Sequence, residues 1–283
     1  MTLLEFKRYF KQELSSVYSE SESAELYSIF AYKIIGFNKF QQRKFMNQYL
    51  LESHVEDFEL IITELKTGKP FQQILGETEF YGLKFFLDEN VLIPRPETEE
   101  LLELAMREIQ SLMLHTQGLK ILDIGTGSGI IPIILKKHFP EAEISTIDIS
   151  KKALEIAKKN ADFHQTEISF FQKDYLNENL DKKYDIIISN PPYIGIDEEN
   201  EIADSVKDFE PKIALFSPTR NPLVFYEKIA KDCTDFLSEK GMVFLEINQK
   251  LGKETLDLFK KNLSETSLIK DLSGNNRFIF GRK

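Results

Sequence analysis

The sequence predicts an α/β protein in which a doubly wound parallel sheet follows a small helical bundle and a β-hairpin linker. Three observations carry this. From Pro96 onward, apolar runs of strand length alternate with segments of helical periodicity. The first 70 residues show helical periodicity alone, with Gly36 the single glycine before Gly68. Between them, residues 71–95 carry aromatic, strand-like stretches broken by Gly76 and Gly82.

Three domains are therefore expected: a helical domain over 1–70, a hairpin linker over 71–95 and the α/β domain over 96–283. In the first, Leu3, Leu4, Phe10 and Leu14 suit one amphipathic face. Leu26, Ile29, Phe30, Ile34 and Ile35 suit the next, and Phe58, Ile61, Ile62 and Leu65 a later one. Ser21 or Ser23, with Glu22 and Glu25 close by, is a candidate helix cap. In the linker, Phe80, Tyr81, Leu83, Phe85, Phe86 and Leu87 suggest paired strands, and Asp88-Glu89-Asn90 suggests a turn. A helix begins at Pro96, a favoured first-turn residue, and runs through Leu102, Met106, Ile109 and Met113. Strands are expected over 119–124, 144–149, 168–172, 184–189 and 242–247, with two last strands near 267–272 and 277–281. Helices are expected over 129–138, 151–163, 222–238 and 250–262. Strands alternating with helices in this way imply a parallel sheet covered on both faces.

Composition narrows the function classes. The 283 residues are 42% hydrophobic and 29% charged, ordinary for a soluble globular protein with a sizeable core. No run approaches a membrane helix, and the mixed charges of the opening residues do not resemble a secretory signal. Cys233 is the one cysteine, which excludes an intrachain disulfide framework and an all-Cys zinc site. A cytoplasmic location is the default. The net charge of −10 argues against a direct nucleic-acid partner, whose phosphates need a basic face, and favours a protein or small-molecule substrate. His54, His115, His138 and His164 fall in no metal-ligand spacing, so no metal is expected.

The chemistry begins at strand 119–124, which runs through Asp123 and Ile124 into Gly125-Thr126-Gly127-Ser128-Gly129. In a doubly wound sheet this first strand-to-helix turn borders the ligand crevice. The spacing is G-x-G-x-G, and Ile130 stands where a pyrophosphate cradle would have its third glycine. Asp123 would repel a phosphate but attract a cationic amino group. Asp148, at the end of the next strand, is placed to accept hydrogen bonds from both hydroxyls of a ribose. Asp174 ends the strand after that and could accept from an adenine amino group, with Tyr175 packing on the ring. A ligand with an amino-acid part, a ribose and an adenine, but no phosphate, is S-adenosylmethionine. The α/β domain then reads as a Rossmann-like class I methyltransferase domain that uses this donor.

The fourth strand, 184–189, ends in Asn190-Pro191-Pro192-Tyr193. Two prolines stiffen the backbone and keep the preceding residue extended. The Asn190 side-chain oxygen and the Pro191 carbonyl can both accept from a planar NH2, aiming its nitrogen at the donor and stabilising charge that grows on it. Tyr193 would pack against the flat acceptor group. Asn190, Pro191 and Tyr193 are thus the catalytic candidates, and Pro192 joins them in holding the substrate. This motif specifies methylation of a planar NH2. It does not separate a glutamine amide from the amino group of adenine or guanine, so a nucleic-acid methyltransferase remains the alternative.

These motifs, with Glu79-Phe80-Tyr81-Gly82-Leu83, Ile93-Pro94-Arg95-Pro96-Glu97-Thr98-Glu99 and Glu210-Pro211-Lys212-Ile213-Ala214-Leu215, resemble those of the glutamine-N5 methyltransferases of bacterial peptide-chain release factors, the HemK/PrmC family. The resemblance runs nearly end to end. It implies methylation of the glutamine in the Gly-Gly-Gln loop of class 1 release factors, with the helical domain recognising the release factor body. It implies that Gly125 to Gly129, Asp148 and Tyr175 line the donor and that Asn190 to Tyr193 hold the glutamine. A monomer that meets a protein partner and no membrane is the expectation. Two positions depart from the family pattern: Glu246-Ile247-Asn248 stands where Glu-His-Gly is frequent, and Tyr175 where a tryptophan is frequent. Arg95 and Glu97 are read either as a pair that organises their loop or as groups that touch donor or substrate. Glu210 is open in the same way.

Overall fold

The computed structural model describes residues 1–112 and 117–283. Met113 and His115 lie outside the described residues. The chain divides into two compact units. One comprises residues 1–77 and 203–209, the other residues 78–202 and 210–283.

The first unit is helical. It contains α1 (Leu3–Glu13), α2 (Glu20–Ile35), α3 (Lys39–Lys44), α4 (Glu52–Lys66) and the short α5 (Phe71–Leu75). Three of these helices begin with reciprocal caps, Thr2 with Glu5, Ser19 with Glu22 and Asn38 with Gln41. Each satisfies two backbone donors that the first turn leaves unpaired. The cap of α2 is therefore Ser19, and Ser21 and Ser23 lie inside the helix. Residues 71–75, expected as the start of the hairpin, instead form the single turn of α5, which Gly76 stops at φ 73°. The core is aromatic. The Phe58 ring stacks on Tyr27 at 5.6 Å and meets Phe6 at 5.0 Å and Phe10 at 6.3 Å.

The second unit opens with the hairpin β1 (Glu77–Phe80) and β2 (Leu83–Phe86), whose first residue still counts with the helical unit. Asp88 then accepts from Asn90 N at 2.8 Å, making the expected turn. The α/β part follows with α6 (Pro96–Leu112), β3 (Lys120–Ile124), α7 (Ile130–His138), β4 (Glu143–Asp148), α8 (Lys151–His164), β5 (Ser169–Gln172) and β6 (Tyr184–Ser189). A stretch of short turns contains α9 (Asp204–Phe209), assigned to the helical unit, and α10 (Lys212–Leu215). The chain ends with α11 (Val224–Phe236), β7 (Leu237–Glu246), α12 (Gly252–Phe259), β8 (Glu265–Lys270) and β9 (Asn276–Arg282).

The seven-stranded sheet has the order β5-β4-β3-β6-β7-β9-β8. Its first five strands are parallel, as the alternation predicts, and the central ones, β3, β6 and β7, bury near-continuous apolar runs. The last two strands depart from that expectation. β9 pairs antiparallel with both β7 and β8. The cause is local: Asp271 to Asn275 close a tight turn, with Asp271 N donating to Asn275 O at 2.9 Å, too short for a parallel crossover. β7 also starts earlier than expected, at Leu237, because α11 ends at Phe236 and runs directly into it. Gly241 is required there, since a Cβ would lie 2.8 Å from Leu237 Cγ and 3.0 Å from Asp185 O. No helix among the described residues is long and apolar enough to cross a membrane.

The aromatic core of the helical unit leads to a prediction. Phe58→Ala removes the ring that three others pack against. It should cost about 3–5 kcal/mol of that unit's stability, read as a lowered midpoint in chemical denaturation.

Candidate active site

The site grows from the parallel pairing of β3 and β6, in which Ile124 lies opposite Ser189. The strand order reverses at this point, and both strands end together. The residues that follow them, Gly125 and Asn190, are therefore neighbours at the carboxyl edge of the sheet. Gly125 adopts φ 81°, and Gly125 N donates to Ile147 O at 2.9 Å, which folds the loop over β4. Gly129 caps α7 at φ 83°, and a Cβ there would lie 3.1 Å from the Ala157 Cβ of α8. Glycine is needed at this position both for the backbone conformation and for the close approach of the two helices.

A cavity of about 440 Å³ opens over this edge. Gly125, Thr126, Gly127 and Ser128 form one wall, and Asp148, Asp174 and Tyr175 form another. Asn190, Pro191 and Pro192 close a third, with Thr98 and Arg95 beside them. Most of the sequence-derived site residues thus meet in one place. Three do not line the cavity. Gly129 lies behind the loop as the α7 cap. Tyr193 faces a second, polar cleft of about 200 Å³ with Asn248 and Arg277. Asp123 is fully buried beneath the loop.

The carboxylates differ in environment. Asp148 Oδ2 accepts from Gly127 N at 3.0 Å and Oδ1 from Ser150 N at 2.8 Å. One bond on each oxygen leaves lone pairs for two more donors, as a ribose diol would require. Burial raises the pKa of this carboxyl, and the backbone donors partly oppose the shift. Asp174 binds the backbone and side chain of Asn177. Asp123 Oδ2 accepts from Thr146 Oγ1 at 2.7 Å, while its Oδ1 is buried with no hydrogen-bond partner. Burial pushes the Asp123 carboxyl up to about 7. Tyr175 is held by its hydroxyl, which donates to Asp232 at 2.8 Å.

Asn190 belongs to a hydrogen-bonded chain that sequence reasoning missed. Asn190 Nδ2 donates to Thr98 Oγ1 at 3.2 Å, and Thr98 Oγ1 donates to Glu246 Oε2 at 2.7 Å. Tyr193 OH donates to the other oxygen, Glu246 Oε1, at 3.4 Å. Glu246 ends β7 directly after its buried apolar stretch 242–245 and is 1% exposed. A lone acid closing a fully apolar run was the available signal. Arg95 pairs with Glu210, not Glu97, through Nη2 to Oε1 at 2.5 Å, and Ile93 N donates to Glu210 Oε2 at 3.0 Å. Glu210 therefore ties down the loop before α6, so the organising role fits this pair.

The strand order, the glycine loop and the acids at successive strand ends define a Rossmann-like class I methyltransferase. Residues 104–207 match the family described as Methyltransferase small domain. The fold is similar to that of a methyltransferase from Pyrococcus furiosus, with a TM-score of 0.51 at 15% identity over 80% of this chain and 98% of that one. The sequence is 43% identical to the Release factor glutamine methyltransferase of Flavobacterium psychrophilum, covering 99% of this chain and 98% of that protein. It is 38% identical to the protein of the same name from Streptococcus pneumoniae, again over 99% and 98%. The chain belongs to the release factor glutamine methyltransferase family.

The Asp123 environment gives a pH prediction. A carboxyl whose folded-state pKa lies above its unfolded value contributes stability that is fully present below about pH 4 and is lost as pH rises through about 7. Asp123→Asn should therefore flatten the decline in unfolding free energy between about pH 5 and about pH 8. Denaturant titrations at the two pH values measure this.

Proposed function

We propose that this enzyme transfers a methyl group from S-adenosylmethionine to the side-chain N5 of the glutamine in the Gly-Gly-Gln loop of class 1 peptide-chain release factors. The observation that carries the reading is the placement of Asn190 and Pro191 on the wall of the cavity that Asp148 and the glycine loop also line. Near-full-length relatives bearing the release factor name supply the substrate.

The site's residues suit the donor. Asp148 has free lone pairs that would take two ribose hydroxyls, and Asp174 and Tyr175, which line the same cavity, would take the adenine. Asp123 lies beneath the loop and outside the cavity lining, so it would support the loop and not meet the donor. When bound, S-adenosylmethionine supplies a methyl carbon made electrophilic by its sulfonium. The chain's own task is to present a poor nucleophile to it. Asn190 Oδ1 and Pro191 O accept from the two hydrogens of the glutamine amide, fixing its plane and direction. As charge grows on the nitrogen these two acceptors bind more tightly, which lowers the barrier. Tyr193, held by Glu246, faces the neighbouring cleft, so it would brace the Asn190–Pro192 turn and not pack on the amide plane.

The helical unit recognises the body of the release factor. Its surface offers the exposed side chains of Tyr32, Phe40, Tyr49, Leu51 and Leu60, which suit a protein partner better than a phosphate backbone. The enzyme acts in the cytoplasm, as a monomer.

Incubation with labelled S-adenosylmethionine and purified release factor should label the loop glutamine and leave RNA and DNA unlabelled. Label found only in nucleic acid would overturn the reading. Asn190→Ala should reduce turnover by about 100-fold or more while donor affinity, measured by calorimetry, changes little.

A further inference from the structure

We infer that Thr98 and Glu246 are positioning residues that fix which end of the Asn190 amide faces the acceptor. The inference rests on the reading of Asn190 as the group that holds the glutamine amide.

The logic is one of donors and acceptors. An asparagine amide has an oxygen that only accepts and a nitrogen that only donates. Only its oxygen can receive the NH2 of a glutamine. The two ends are nearly the same size, so packing alone does not choose between them. Thr98 makes the choice. Its hydroxyl has one hydrogen, and an ionised Glu246 can only accept, so that hydrogen goes to Glu246 Oε2 at 2.7 Å. Thr98 Oγ1 then has only lone pairs to offer Asn190, and Nδ2 turns to it at 3.2 Å. Oδ1 is left free for the acceptor. Tyr193 OH donates to the second oxygen of the same carboxylate, so one buried acid orients both the Asn190 amide and the Tyr193 ring.

Protonation of Glu246 reverses the chain. Its O–H would donate to Thr98, Thr98 would donate to Asn190 Oδ1, and the NH2 end would face an incoming NH2. Two donors would then oppose each other and the acceptor would lose its hold. The groups around Glu246 make this reversal accessible. Burial pushes its carboxyl up to about 7, Glu97 on α6 repels its charge, and Thr98, Arg277 on β9 and Tyr193 favour the charge. Tyr226 on α11 donates to the Glu246 backbone oxygen at 3.2 Å, not to the carboxylate. The switch is thus set by the Glu246 side chain and reaches Asn190 through Thr98.

The test is steady-state methylation of release factor by the wild type, Thr98→Val, Thr98→Ser and Glu246→Gln from about pH 5 to about pH 9. Binding of S-adenosylhomocysteine and thermal unfolding serve as controls. The wild-type kcat should fall as pH drops through about 7. Thr98→Val, similar in shape but without the hydroxyl, should lower kcat by about 10- to 100-fold with little change in KM or in S-adenosylhomocysteine affinity. Thr98→Ser restores the hydroxyl and should stay within about threefold of the wild type. Glu246→Gln should lose the limb of the pH profile near 7. Wild-type kcat in Thr98→Val, equal loss in Thr98→Ser and Thr98→Val, or an acid limb retained in Glu246→Gln would each overturn the inference while leaving the proposed function standing. A wild type that puts no methyl on release factor would overturn both.

Discussion

The structure depends on one register. β3 and β6 pair in parallel so that Ile124 faces Ser189, and Ser189 Oγ donates to Ile124 O at 2.7 Å to lock the two strand ends together. If β6 slipped by one residue, Ile186, Ile187 and Ile188 would swap faces and Asn190 would move away from the glycine loop. The polar bonds at the two ends of the pairing, Ser189 Oγ to Ile124 O and Lys120 N to Asp185 Oδ2, oppose this slip and therefore also hold the site geometry. Stability and function share the same constraint, and the loops at the sheet edge can be short because the strands have already aligned them.

Much of this was legible in the sequence. The parallel strands and their helices have a clear period, and their ends carry Gly125, Asp148, Asp174 and Asn190 in an order that only a doubly wound sheet brings together. The cavity lining draws on residues spread over more than 60 positions. What escaped was of another kind. The direction of β9 is set by the turn at Asp271 to Asn275, and alternation of strands and helices says nothing about direction once the intervening segment is a turn. The depth of Asp123 was missed because a carboxylate beside glycines reads as exposed, whereas Thr146 on β4 takes it into the sheet. The Thr98–Glu246 link joins residues 148 positions apart, and no spacing rule connects them.

The buried acids have a shared character. Asp123, Asp148 and Glu246 all lie at or near strand ends, and burial raises the pKa of each. The fold tolerates them because each is partly satisfied: Asp148 by backbone N–H groups, Glu246 by two hydroxyls and Asp123 by one. An apolar residue at any of these points would remove a desolvation cost. Their presence where the sheet meets the cavity fits a site selected for polarity at some expense of stability.

The assignment of residues 203–209 has a consequence for the protein's modularity. The backbone passes from one unit to the other three times, near 77, 202 and 209. Gln73 Nε2 donates to Phe209 O at 2.8 Å, so the returning segment is bonded into the bundle. A bundle spliced away at a single boundary would leave that segment behind without its partners. Recombination therefore cannot trade this bundle as a detachable cassette. A new recognition surface must instead arise by point changes on the existing helices or by replacing two stretches of gene at once.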